Sequence, residues 1–319
     1  MKKVVAGIDI GGTNTDYGFV DAEGDILFRS HHKTHEFERF EDLAITLHAE
    51  MLKAAKDKNF DIVAVGIGAP NGNYYNGTIE YAPNLQWKGI IPVVEIFERI
   101  FNKPVFVTND ANAATLGEML FGGAKGLKDF VYITLGTGVG SGIVVNGELV
   151  YGHDGFAGEV GHILVKEHGR LCGCGRHGCL ETYSSVTGLI RSVNIYKRDF
   201  PGSALRRYDM ADLNGKMIYE HALKGDKLAL KAFDIAAKRL GIALANVVAI
   251  TSPEVIFLFG GLAKAKEFIF APVKKYMEEN LLTVFRNKVK LLPSLLAGNE
   301  AAIKGAAALA WRELRKRGN

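Results

Sequence analysis

The chain has 319 residues, is 48% hydrophobic and 23% charged, and is long enough for two domains that each bury a core. Its net charge is +4, with the cations dispersed apart from the Arg312–Arg317 ending, so neither nucleic acid nor another polyanion is the expected partner. No segment is continuously apolar for a membrane span, Asp9 breaks the first apolar run too early for a signal peptide, and three cysteines do not make a secreted disulfide framework, so a cytoplasmic protein is expected.

In chain order, Val4–Ile10 reads as a buried strand, Tyr17–Val20 as a second and Asp25–Phe28 as a third, with the glycine-rich turn Gly11-Gly12-Thr13-Asn14-Thr15 between the first two. The spacing of Leu43, Leu47, Met51 and Ala54 predicts a helix over Phe40–Lys56, and Ile62–Ile67 is a further strand. Val105–Thr108 is a strand that runs into a helix beginning near Ala111. The opening plan then returns: strand Phe130–Leu135, turn Gly136-Thr-Gly-Val-Gly140, strand Ser141–Val145, and an Asn146-Gly147 hairpin into Glu148–Val150. A duplication of related α/β units would follow. From Met217 onward the chain reads as largely helical, interrupted by strands at Val255–Phe259 and Val289–Leu292, and it closes on an alanine-rich helix from Glu300 to Leu314.

Both Gly-Thr turns sit at a strand end, where backbone N–H groups and a threonine hydroxyl can close on a phosphate; two ordinary hairpins would look the same. Neither is a P-loop or a dinucleotide fingerprint, because a strand rather than a helix follows each. Asn109-Asp110 is open to two readings, a helix cap or a carboxylate at a strand end that accepts a proton during phosphoryl transfer.

All three cysteines lie within GHILVKEHGRLCGCGRHGCLE, residues 161–181. His162, Cys172, Cys174 and Cys179 form a Cys3His set, with glycines that let the chain turn around an ion, and this suits tetrahedral structural zinc better than a redox pair. His168 and His177 are less favourably placed. A second cluster, His31-His32-x-x-His35, lacks a cysteine or a carboxylate pair to complete a metal site and reads as a solvated strand end.

Taken together, Asp9-Ile-Gly-Gly-Thr13, Ala82-Pro-Asn-Leu85, Asn109-Asp-Ala-Asn-Ala-Ala114, Leu135-Gly-Thr-Gly-Val-Gly140, Ala157-Gly-Glu-Val-Gly-His162, the cysteine motif to Glu181, and Gly260-Gly261 resemble the ROK family of repressors, open reading frames and sugar kinases. The resemblance implies two actin-like (ribonuclease H-like) α/β domains around a cleft, with a zinc-stabilised loop at 162–181. The expected division is a domain over 1–114, completed by a C-terminal helix at 298–319, and a second domain over 115–297. It implies ATP-dependent phosphorylation of a hexose, with Asp110 as general base and Asn84, Asn109, Asp110, Glu159, His162 and Glu181 on the sugar. Gly11, Gly12, Thr13, Asn14, Gly136, Thr137, Gly138, Gly260 and Gly261 would hold ATP, and Asp9 would help position Mg2+. A homodimer is implied as well. Glucose is the first expectation among hexoses, with N-acetylmannosamine, N-acetylglucosamine, fructose and allose as alternatives.

One position departs from the family pattern: its usual G-x-P-G stands here as Gly68-Ala-Pro-Asn71, and asparagine tolerates the left-handed backbone that the turn needs. Repressors of the family carry a helix-turn-helix segment ahead of the first Gly-Thr loop, and Asp9 lies too close to Met1 for one, which favours the kinase over a sugar-responsive regulator lacking its DNA-binding segment. A zinc-ribbon nucleic-acid binder would explain the cysteines but leave both Gly-Thr loops unused.

Overall fold

The computed structural model describes residues 1–296, 298 and 300–318, so positions 297, 299 and 319 of the expected 297/298 boundary and closing helix lie outside the described residues. The chain divides into two compact units, one of residues 1–127, 149–157 and 294–319, the other of residues 128–148 and 158–293.

In the first unit, strands β1 (Lys2–Ile10), β2 (Asn14–Val20) and β3 (Ile26–Lys33) form an antiparallel meander. Helix α1 (Phe40–Asp57) follows, and it buries Leu43, Leu47 and Met51 along one face, each worth about 1.5–3 kcal/mol of burial. Strand β4 (Phe60–Ala69) returns parallel to β1. A small sheet of β5 (Gly72–Asn73), β6 (Thr78–Glu80) and β7 (Ile90–Ile91) comes next, then helix α2 (Val93–Phe101), strand β8 (Val105–Asn109) and helix α3 (Asp110–Phe121). The main sheet has the order β3-β2-β1-β4-β8, so β1, β4 and β8 run parallel and end at one edge. The third strand is longer than Asp25–Phe28 because its alternating polar residues pair with β2 as far as Lys33. Helix α3, within which the expected boundary at 114 falls, lies whole inside this unit.

The C-terminal helix Glu300–Lys316 packs on this sheet, its Ala306–Ala310 run fully buried. Alanine is apt because the backbones nearly touch: a Cβ built on Gly66 of β4 would lie 1.9 Å from the Ala306 carbonyl oxygen.

In the second unit, β9 (Phe130–Leu135), β10 (Val139–Val145) and β11 (Glu148–Leu149) open the meander again, with Asn146 and Gly147 both at positive φ, as a two-residue hairpin turn of this kind requires. Helices α4 (Glu181–Ser184), α5 (Val186–Tyr196), α6 (Gly215–Leu223), α7 (Lys227–Thr251) and α8 (Phe270–Asn280), with strands β12 (Val255–Phe259) and β13 (Lys290–Pro293), complete it. Its sheet order, β11-β10-β9-β12-β13, repeats that of the first unit position for position, with β12 parallel to β9 as β4 is to β1. Among the described residues no helix is long and apolar enough to cross a membrane.

Candidate functional site

Parallel pairing in the first unit sets Asp9 opposite Gly68 and Ala69 opposite Asn109. A Cβ on Gly68 would meet Asp9 Oδ1 at 3.4 Å and the Asp110 Cα at 3.8 Å, so the two acids flank the same glycine from β1 and from the start of α3. The capping reading and the carboxylate reading of Asn109-Asp110 both have a place here. Asn109 is the cap, its Oδ1 accepting from Ala111 N–H at 2.9 Å, and Asp110 Oδ1 accepts from the same group at 2.8 Å. Burial pushes the Asp9 carboxyl up to about 8, with Asp110 and Asp16 adding repulsion. Burial also raises Asp110, against the Ala111 N–H that favours its anion, although water still reaches part of its surface. Two acids held this close resist ionising together, and a divalent cation would offset their charge; the donor chemistry thus fits magnesium at Asp9.

The Gly11–Asn14 turn is closed by Gly11 N–H donating to the Asn14 carbonyl at 2.9 Å, and Lys33 Nζ donates to Asn14 Oδ1 at 2.9 Å. Asn84 belongs to the loop between β6 and β7, whose base is closed by Tyr81 N–H donating to the Gly89 carbonyl at 2.8 Å. That loop is tied to residues 34–38: Gln86 Nε2 donates to the carbonyls of Thr34 and Phe37, and Trp87 Nε1 donates to that of Glu38 at 3.1 Å. Asn71 takes the left-handed backbone at φ 52°, and its Nδ2 donates to the Glu80 carbonyl at 2.9 Å, which fastens the departing turn to β6. The histidine-rich strand end is solvated at His31 and His35, as expected, but not throughout. His32 stacks on Tyr17 at 5.8 Å and meets Glu50 Oε2 at 3.1 Å, and Thr34 is fully buried.

In the second unit, the Gly136–Gly138 turn and Gly260-Gly261 lie together: a Cβ on Gly260 would be 2.6 Å from the Leu135 carbonyl oxygen, and Leu262 N–H donates to that oxygen at 3.0 Å. Val186 N–H holds the Gly136 carbonyl at 2.8 Å. Glu181 reaches both this turn and the cysteine loop. A Cβ on Gly138 would lie 2.8 Å from its Oε2, and the Cys172 thiol donates to its Oε1 at 2.9 Å. Glu159 precedes the short 3-10 turn Val160–His162, and its carbonyl accepts from His162 N–H at 3.0 Å.

The ligand atoms of His162, Cys172, Cys174 and Cys179 all lie within 4.8 Å of one another. Tetrahedral zinc with Zn–S bonds of about 2.3 Å needs ligands roughly 3.8 Å apart. Cys174 Sγ and Cys179 Sγ are 3.6 Å apart, and Cys172 Sγ lies 3.7 Å from His162 Nδ1, so the donor set fits zinc. With Nδ1 turned to the cysteines, Nε2 is the ring atom left for another partner. His168 lies beside Glu167 and His177 Nδ1 meets the Gly169 carbonyl, so neither joins the group.

Arg170 is a residue that motif reading misses. Its guanidinium sits 4.5 Å over the Tyr183 ring and donates to the carbonyls of Thr182 and Gly188, clamping the cysteine loop onto α4 and α5. Its only sequence signal is a long cation beside the cysteines, which many solvated arginines share.

A family model described as the ROK family matches residues 5–313. The glucokinase of Streptomyces coelicolor is 36% identical over 310 residues, covering 95% of this chain and 96% of that protein. The glucokinase of Thermotoga maritima is 31% identical over 313 residues, 97% of each. Among solved structures, a ROK family glucokinase from Streptomyces griseus in complex with glucose and AMPPNP matches with a TM-score of 0.79 at 34% identity, covering 96% of this chain and 99% of that one.

Proposed function

We propose, because the chain belongs to the ROK family, that it is an ATP-dependent glucokinase forming glucose 6-phosphate, in keeping with the similar glucokinases and the glucose and AMPPNP complex. The observation that carries the mechanism is the carboxylate of Asp110 at the end of β8, held by the Ala111 N–H and flanked by Asp9. Asp110 acts as general base and accepts the proton of the 6-hydroxyl as that oxygen bonds to the γ-phosphorus and the bond to ADP breaks. The Ala111 N–H fixes one carboxylate oxygen, which orients the other toward the proton.

Asn84, Asn109, Glu159, His162 and Glu181 meet the remaining hydroxyls. Asn109 does so through Nδ2, since its Oδ1 is the helix cap, and His162 through Nε2. Each hydroxyl must be matched because an unpaired polar group in a closed site costs about 1–3 kcal/mol. Gly12, Thr13 and Asn14, with Thr137, Gly138, Gly260 and Gly261, hold ATP through backbone N–H groups, and Gly11 and Gly136, whose own N–H groups close the two turns, shape those loops around it. Magnesium held at Asp9 would offset phosphate charge as the phosphoryl group moves. Zinc bound by His162, Cys172, Cys174 and Cys179 is structural, since four protein ligands leave no position for water, and it fixes the His162 ring and anchors Glu181, which follows the ligand Cys179 by two residues.

The reading includes a cytoplasmic homodimer in carbohydrate metabolism, acting on a small sugar and on neither nucleic acid nor membrane. It divides the chain into a first domain, which keeps helix α3 whole and is completed by the C-terminal helix, and a second domain that carries the zinc loop. The test is kcat/KM over a panel of glucose, N-acetylmannosamine, N-acetylglucosamine, fructose and allose with ATP and magnesium. Glucose is expected to lead; a preference of tenfold or more, order of magnitude, for another sugar reassigns the substrate, and no turnover with any sugar ends the kinase reading.

A further inference from the structure

The histidine-rich segment at the end of β3 plays no part in the proposed chemistry, yet one of its residues touches both ligand loops of the first unit. Thr34 opens the 3-10 turn Thr34–Glu36 and is 1% exposed. Its backbone N–H donates to the Thr13 carbonyl at 3.0 Å, and its Oγ1 donates to the Gly11 carbonyl at 2.7 Å. Thr15 Oγ1, also fully buried, lies 2.9 Å from Thr34 Oγ1. A hydroxyl has one proton, and that of Thr34 goes to Gly11, so Thr15 is the donor of this pair and the chain runs Thr15 to Thr34 to Gly11.

On its other side, the Thr34 carbonyl accepts from Gln86 Nε2 at 3.4 Å, and the same amide reaches Phe37, which fixes the loop bearing Asn84. The two loops also touch directly: a Cβ on Gly12 would lie 2.5 Å from the Asn84 carbonyl oxygen. The two glycines of the turn have no side chains, and the buried Thr34 hydroxyl supplies the restraint on the Gly11 carbonyl.

We propose that Thr34 is a positioning residue that sets the glycine turn 11–13 and the Asn84 loop together, so that nucleotide and sugar affinity both depend on its hydroxyl. The proposal rests on the assignment of these loops to ATP and glucose given above.

The test compares wild type, Thr34→Val, Thr34→Ser and Gln86→Ala by steady-state kinetics with glucose and ATP, alongside thermal melting. Thr34→Val keeps the shape and removes the hydroxyl; the expected result is a rise of about tenfold in the KM of both ATP and glucose with kcat within about threefold. Thr34→Ser restores both values. Gln86→Ala, at an exposed position and so folded whatever becomes of Thr34→Val, raises the glucose KM and leaves the ATP KM unchanged. A Thr34→Val enzyme that melts earlier but keeps both KM values, or a Gln86→Ala enzyme with an unaltered glucose KM, overturns the proposal while wild-type turnover leaves the kinase reading standing. A wild-type chain inactive with every hexose overturns both.

Discussion

Asp110 stands at the start of α3 beside the same glycine of β4 that faces Asp9, and its charge is one of the causes that lift the Asp9 carboxyl to about 8. The pair therefore holds fewer than two full negative charges near neutral pH until a cation or a donor arrives. In the proposed mechanism Asp9 takes the metal and Asp110, which has an exposed surface and an N–H partner, takes the proton.

Replacing Asp110 with Asn keeps an oxygen that can accept from Ala111 N–H and removes the base. We expect Asp110→Asn to lower kcat by about 10²–10⁴ with a change of only a few fold in glucose KM. A coupled ADP-release assay measures both, and normal turnover would sink the assignment.

The pH profile provides an independent check. Burial raises the Asp110 carboxyl from its ordinary 3.8, and a base works only when deprotonated, so activity is lost as pH falls through the raised value. The acid limb of kcat/KM is expected to have its midpoint above 3.8. A limb at or below that value would contradict it.

Cys174 is exposed while Cys172 and Cys179 are buried, so Cys174→Ser probes the metal with little disturbance of the core. Zinc content, read by mass spectrometry of the metal, is expected to fall, and glucose KM to rise roughly tenfold with it, because Glu181 follows the ligand Cys179 by two residues and is placed by the same loop. Loss of zinc with an unchanged glucose KM would break the link; the Arg170 clamp would then be the element that holds Glu181.

Stability has its own acid switch at Asp226, which caps α7 by accepting from Leu228 and Ala229 N–H and also accepts from Ser203. Burial alone would raise its pKa, but Ser203, those N–H groups and His221 outweigh it and hold the carboxyl below 3.8. A lowered folded pKa contributes stability that is complete above the unfolded value and is lost as pH falls through the folded one. Asp226→Ala should therefore cost about 1–2 kcal/mol, a Tm drop of roughly 3–6 °C near neutral pH, and the gap from wild type should close in acid. A gap that stays constant in acid melting curves would refute this.

Much of the fold was legible because its signals are local. The Gly-Thr hairpins, the helical period of Leu43, Leu47 and Met51, the Asn146-Gly147 turn and the alanine-rich ending each declare themselves within a few residues, and the matching strand orders bear out the repeated plan. Helix α2 was not legible: VVEIFERIF opens on β-branched residues and is apolar enough to fit a strand period as well as a helical one. In the candidate site, motif spacing could nominate Asp110 and the cysteines, but it could not divide the capping duty between Asn109 and Asp110, which depends on where one N–H points. Thr34, Gln86 and Arg170 were invisible for a related reason. Each acts through backbone carbonyls far away in sequence, and carbonyls leave no mark on residue identity.

The helix Glu300–Lys316 lies against strands that are synthesised well before it. During synthesis the apolar face beside Gly66 stays open until that helix emerges, on the order of ten seconds later at ordinary elongation rates. The second unit, of residues 128–148 and 158–293, includes no such late partner. The first unit, which carries Asp110, therefore cannot complete its core until the residues of the second unit have been made.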